Sequence, residues 1–157
     1  FMAKIVARQI VPGSQELVWH VLSDFERTSE WVPSAVSIEH TDGPAKALGR
    51  EHTVRYDSGL EAHQRIVAWD DSRRLAGRTE REMHDGRDVS KFNNVRTTVD
   101  LRPSGSNTEI TVTRTWSGGG PLGLIRSFSQ KATVKREFEE LLANLNSIMN
   151  NDTGSAS

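Results

Sequence analysis

Cysteine is absent from the 157 residues, which excludes disulfides, thiolate zinc sites and a cysteine nucleophile. An excess of either charge is missing too: 20 lysines and arginines oppose 21 aspartates and glutamates, for a net charge of −1. The chain therefore has no bulk electrostatic pull toward nucleic acid or an anionic membrane, and any basic effect must be local. No apolar run approaches the ~20 residues that a membrane-spanning helix needs. No basic-then-apolar leader opens the chain either, so the expectation is a cytoplasmic protein without membrane insertion. The five histidines, His20, His40, His52, His63 and His84, lack HExxH or close paired spacing, so a metal is not expected; no cofactor is expected either. Ser117–Gly118–Gly119–Gly120–Pro121 lacks the lysine-plus-hydroxyl ending of a phosphate loop and reads as a flexible joint.

What is present reads as one domain over residues 2–150, since the chain is long enough for one core and too short for two. Phe1 lies ahead of it, and residues 151–157 have too little apolar surface to order themselves, which predicts a disordered tail. Lys4–Val11 is a β-branched first strand stopped by Pro12–Gly13. Ser14 stands where an N-cap belongs, followed by Leu17, Val18, Val21, Leu22 and Phe25 at helical spacing. Strands then follow at Val36–His40, Glu51–Tyr56, Ala62–Trp69, Leu75–Met83, Val95–Leu101 and Glu109–Trp116, separated by turn residues such as Asp42–Gly43 and Asp85–Gly86.

The segment Pro121–Met149 is helical by composition. Val134, Phe138, Leu141, Leu145 and Ile148 form one apolar stripe, whereas Leu122, Ile125, Phe128 and Ala132 project about half a turn away at 100° per residue. Two readings stand. Either both stripes pack, with the helix continuous or restarting at Ser127–Phe128–Ser129–Gln130, or the second half anchors the fold while the first lines a cavity mouth, hinged at the triple glycine.

The order of Ser14 through Phe25, Trp31–Val32–Pro33, Gly49–Arg50, Val67–Ala68–Trp69–Asp70, Arg73–Arg74–Leu75 and Gly105 through Val112 resembles the polyketide cyclase/dehydrase-like branch of the START and Bet v 1-like superfamily. The resemblance covers nearly the whole domain. It implies an α+β helix-grip fold: a curved antiparallel sheet wrapped around a long C-terminal helix, with short helices after the first strand. It also implies a cavity between sheet and helix for a small hydrophobic or aromatic molecule, polyketide- or lipid-like. Whether such a protein catalyses cyclisation or dehydration is not implied, because fold and reaction are separable.

Strand alternation nominates the inner face. Ile110, Val112, Arg114 and Trp116 share one side of the last strand, His52, Val54 and Tyr56 share one side of another, and Leu75, Gly77, Thr79, Arg81 and Met83 share a third. The candidate binding set is thus Trp31, His52, Val54, Tyr56, Arg81, Val112, Arg114, Trp116, Ile125, Phe128 and Ala132, an apolar pocket with one polar end. Within it His52, Tyr56 and Arg114 are candidate catalytic groups, through proton exchange, hydrogen-bond donation and polarisation of an enolate oxygen. The same set suits holding a polar group without reacting, and Arg114 could equally serve a structural pair. Trp31 either plugs the end of the sheet or lines an opening opposite Phe128; the plug is the simpler reading. His63 shares parity with both Arg65 and Trp69, so that strand's register stays open. The arginines at 73, 74, 78, 81, 87 and 96 sit among acidic residues and read as a solvated face, so no nucleic-acid partner is expected. A monomer or homodimer is expected, and the alternative function is an interaction or chaperone-type module whose cavity is small or filled.

Overall fold

Runs of β-branched residues, broken by glycine, aspartate and asparagine turns, form the strands of a single antiparallel sheet in the computed structural model, which describes residues 2–154 and the side chains of residues 2–152. The strands are β1 (Met2–Val11), β2 (Ala35–Asp42), β3 (Glu51–Tyr56), β4 (Leu60–Asp70), β5 (Arg74–His84), β6 (Arg87–Asp88), β7 (Asn93–Ser104) and β8 (Asn107–Ser117). Their order is β1-β8-β7-β5-β4-β3-β2, with the two-residue β6 attached to β5. Because β1 and β2 lie at opposite edges, the segment between them must cross the concave face. It does so as α1 (Gln15–Leu22), a 3₁₀ turn (Phe25–Arg27) and α2 (Thr28–Trp31).

Ser14 caps α1 as expected, with extended backbone and its hydroxyl accepting from the Leu17 N–H at 3.3 Å. Replacing Ser14 by alanine orphans that donor and is expected to cost about 1 kcal/mol in chemical denaturation; an unchanged midpoint would show that the cap is idle. Val18, Val21 and Leu22 of the helix are almost fully buried. They pack in the same core as Val99, Leu101, Ile110 and Val112 of the sheet.

The long helix α3 (Gly123–Gly154) packs along β1 and also meets β8 and α2. Val134, Phe138, Leu141, Leu142, Leu145 and Met149 are buried, and Ile148 is partly so. This is the expected grip, with Leu142 and Met149 added to the expected stripe. The helix is continuous through Ser127 and does not restart there. It also runs to Gly154, four residues past the expected end of order at residue 150. Asp152 lies 4.0 Å from Arg27. The expected tail residues 155–157 lie outside the described residues.

The triple glycine is a built turn rather than a loose joint. Gly118, Gly119 and Gly120 all have positive φ, and a Cβ on Gly119 would meet the Phe92 ring at 2.9 Å and Gly123 Cα at 3.0 Å. The side chain of Arg126 ties the turn by donating to the Gly119 carbonyl at 3.2 Å.

Two irregularities in the β4/β5 pairing decide which residues reach the interior. His63 pairs with Arg81 but Gln64 with Thr79, so Glu80 is an extra residue; Ile66 pairs with Gly77 but Ala68 with Ala76, so Val67 is another. Each extra residue inverts the alternation beyond it.

Candidate functional site

A cavity of about 120 Å³ lies between the concave face of the sheet, the α1–α2 crossing and α3. A buried water needs roughly 10–15 Å³ on this measure, and an engineered apolar cavity of about 150 Å³ holds benzene, so the space fits a single ring or several waters. Most of its wall is apolar, supplied by Leu22, Phe25, Ile66, Val112, Phe138 and Leu141 among others. Its polar lining includes two groups, His52 with Gln64 and Arg114 with Thr97, together with Tyr56.

His52 is only 3 % exposed, and both its ring nitrogens are engaged. Arg50 Nε donates to Nδ1 at 2.9 Å. The proton must then sit on Nε2, which donates to Gln64 Oε1 at 3.2 Å. Burial, with a smaller contribution from the Arg50 charge, lowers the His52 pKa from 6.5 to about 4. The expectation that His52 exchanges a proton near neutral pH is therefore corrected: it is a neutral ring with a fixed tautomer.

Arg50, quoted in the sequence only beside Gly49, supplies that fixation. It is 6 % exposed, and its guanidinium lies 4.1 Å from the centre of the Phe25 ring. It also donates to the Ala45 carbonyl at 2.5 Å. This buried cation is held by a ring, an imidazole and a carbonyl, with no carboxylate within 4.0 Å among the described residues.

Arg114 reaches the cavity from β8 as alternation predicts, half-buried, with Ile110, Val112 and Trp116 inward on the same strand. It donates from Nε to Thr97 Oγ1 at 2.8 Å and lies 5.1 Å over the Phe138 ring. Burial pushes the Tyr56 hydroxyl pKa up, against a smaller opposing pull from Arg114, so the phenol stays protonated and available as a donor. Burial likewise raises the carboxyl of Glu82, again with Arg114 opposing. Glu82 approaches this group because the extra Glu80 inverts β5.

Of the eleven residues nominated from sequence, Trp31, His52, Val54, Tyr56, Val112 and Arg114 line the cavity. The other five do not. Arg81 is exposed, turned outward by the same Glu80 bulge. Trp116 is 2 % exposed but sits against Phe92, its indole donating to Ser127 Oγ at 3.0 Å. Ile125 and Phe128 are 69 % and 83 % exposed, and Ala132 is also exposed. In this half of α3 the inward positions carry the small residues Gly123 and Ser127, so the large apolar residues mark the outer face. Trp31 is buried and borders the cavity, in keeping with the plug, while Phe128 is exposed and is not among the lining residues, so the pair does not flank an opening.

Sequence reasoning missed Phe25, Gln64, Ile66 and Thr97, among others, as lining residues, and it put Leu75 and Gly77 on the inner face without including them in the binding set. For Gln64 the signal was present, because it alternates with Ala62 and Ile66 on β4, both buried. The Val67 bulge hid it by giving Trp69 the opposite parity.

The profile of the family described as polyketide cyclase / dehydrase and lipid transport matches residues 2–149. Among solved structures, a protein from Thermus thermophilus is similar at 19% identity and a TM-score of 0.71, over 92% of this chain and 95% of that one. A START superfamily protein from Mycobacterium smegmatis is similar at 14% identity and a TM-score of 0.71, covering 96% and 97%. Ara h 8.0201 is similar at 16% identity and a TM-score of 0.73, covering 96% and 99%. These likenesses establish the shared helix-grip architecture. No curated protein matches the sequence.

Proposed function

We propose that this chain, which belongs to the polyketide cyclase/dehydrase and lipid transport family, holds one small, largely apolar molecule between the sheet and α3 without transforming it. The observation that carries the reading is the cavity itself, a mostly apolar space of about 120 Å³ with a few polar groups in its wall, the general form of a small-molecule site. Retention is favoured over reaction because the histidine in the cavity wall is neutral and already bonded at both nitrogens. Tyr56 and Arg114 remain as donors that orient a ligand. Among the described residues, the lining contains no carboxylate or lysine that could take a proton.

Native mass spectrometry of freshly purified protein tests the reading, with a retained small-molecule mass expected. Toluene at about 100 times its dissociation constant is expected to raise the unfolding free energy by about 2.7 kcal/mol. No retained mass together with no toluene-dependent stabilisation would overturn the proposal. Catalysis would be established instead if the protein turned over a cyclisable polyketide analogue and Tyr56→Phe reduced the rate by about 10²–10⁴-fold. Under the holding function Tyr56→Phe changes affinity alone.

A further inference from the structure

Tryptophan is large enough to be buried readily, but its indole N–H then needs an acceptor. Two other indoles have one: Trp69 donates to Asp71 Oδ1 at 2.9 Å and Trp116 to Ser127 Oγ at 3.0 Å. Trp31 differs. Among the described residues its Nε1 is the one buried side-chain polar atom without a hydrogen-bond partner. The residue is 8 % exposed, and it borders the cavity.

The position of Trp31 is fixed by its surroundings. It ends α2, where the Val32 N–H bonds back to the Thr28 carbonyl at 2.9 Å. Its own carbonyl accepts from Asn144 Nδ2 of α3 at 3.3 Å. Both ties hold the backbone at Trp31 between the crossing segment and the grip helix. A buried donor held this way is unfavourable unless an acceptor arrives from outside the protein.

We infer that Trp31 is a specificity-determining residue for the ligand: its indole N–H donates to an oxygen acceptor, so the cavity takes small aromatic or alicyclic molecules bearing a ketone, ether or hydroxyl oxygen in preference to plain hydrocarbons. The inference rests on the proposed ligand-holding function and adds the ligand's chemical class. Size sets the ring, because the cavity admits about one. The donor sets the oxygen, because an acceptor there replaces the hydration that the buried indole N–H has lost. The preference follows the general rule that a site with a buried donor discriminates against an analogue that leaves it unpaired.

Acetophenone and ethylbenzene test this, being nearly the same shape and differing in the carbonyl oxygen. Wild-type protein is expected to bind acetophenone about five- to tenfold more tightly, the ratio that one neutral hydrogen bond supports. In ¹⁵N-edited NMR spectra the Trp31 indole proton should move downfield with acetophenone and not with ethylbenzene, while the Trp69 and Trp116 signals stay in place. Trp31→Phe should erase the preference while ethylbenzene still binds. Equal affinities, or the same movement of the Trp31 signal with both compounds, would overturn the donor role and leave ligand holding intact. Binding of neither compound would overturn both. If Trp31→Phe does not fold, the wild-type spectra and affinity ratio still decide the question.

Discussion

Truncation of Phe138 to alanine is expected to lower the unfolding free energy by about 3–5 kcal/mol, the range for removing a buried phenylalanine. The ring is 2 % exposed, borders the cavity and lies under the Arg114 guanidinium at 5.1 Å. Its loss enlarges an existing space instead of leaving an isolated void, so neighbours have little to collapse against. Domains of this kind have roughly 5–15 kcal/mol in total, so a large share of the stability is at stake. Urea denaturation with an unchanged slope is the measurement. Phe128→Ala is the matched control: the same chemical change at an 83 % exposed position should stay within about 0.5 kcal/mol. Similar losses in the two variants would show that α3 does not grip the sheet through the Phe138 face.

Acidification from pH 7 to pH 4 is expected to withdraw about 3 kcal/mol through His52 alone, from its shift between 6.5 and about 4. In the native state the ring is buried and neutral; in the unfolded chain it protonates at its ordinary pKa. Between those two values the unfolded state binds more protons, so stability falls as pH falls. The loss begins near pH 6.5, grows to about pH 4, and is absent above the unfolded pKa. Glu82, with its carboxyl raised by burial, acts in the opposite direction. The informative quantity is therefore the difference between wild type and His52→Gln measured across the same range. Parallel profiles would show that His52 titrates normally and that the Arg50–His52–Gln64 chain is not formed in solution.

The fold was legible because its signals are local and agree with one another. The Pro12–Gly13 stop, the Ser14 cap and the regular turn residues each constrain only their neighbours, and together they set the order of elements. In β8, Ile110 and Val112 reveal the inner face by their own apolarity, and Arg114 follows from them by alternation. His52, Val54 and Tyr56 on β3 were found in the same way, since no bulge interrupts that run against β4. Arg81 failed the same test for one reason: an extra residue at Glu80, set by pairing with β4, reverses the parity beyond it.

By itself, the sequence determined the order of strands and helices, the cap, and the apolar stripe from Val134 to Leu145, all of which depend on residues within a few positions of one another. It also determined what chemistry is impossible without cysteine. Tertiary structure alone decided three things. It set the outward face of early α3, where Gly123 and Ser127 are buried, Ser127 meets Trp116, and Ile125 and Phe128 are left outside. It fixed the protonation of His52, because burial and the Arg50 contact lower a pKa that no sequence pattern records. And it left the Trp31 indole without a partner, since whether a donor finds an acceptor depends on which distant segments converge around it.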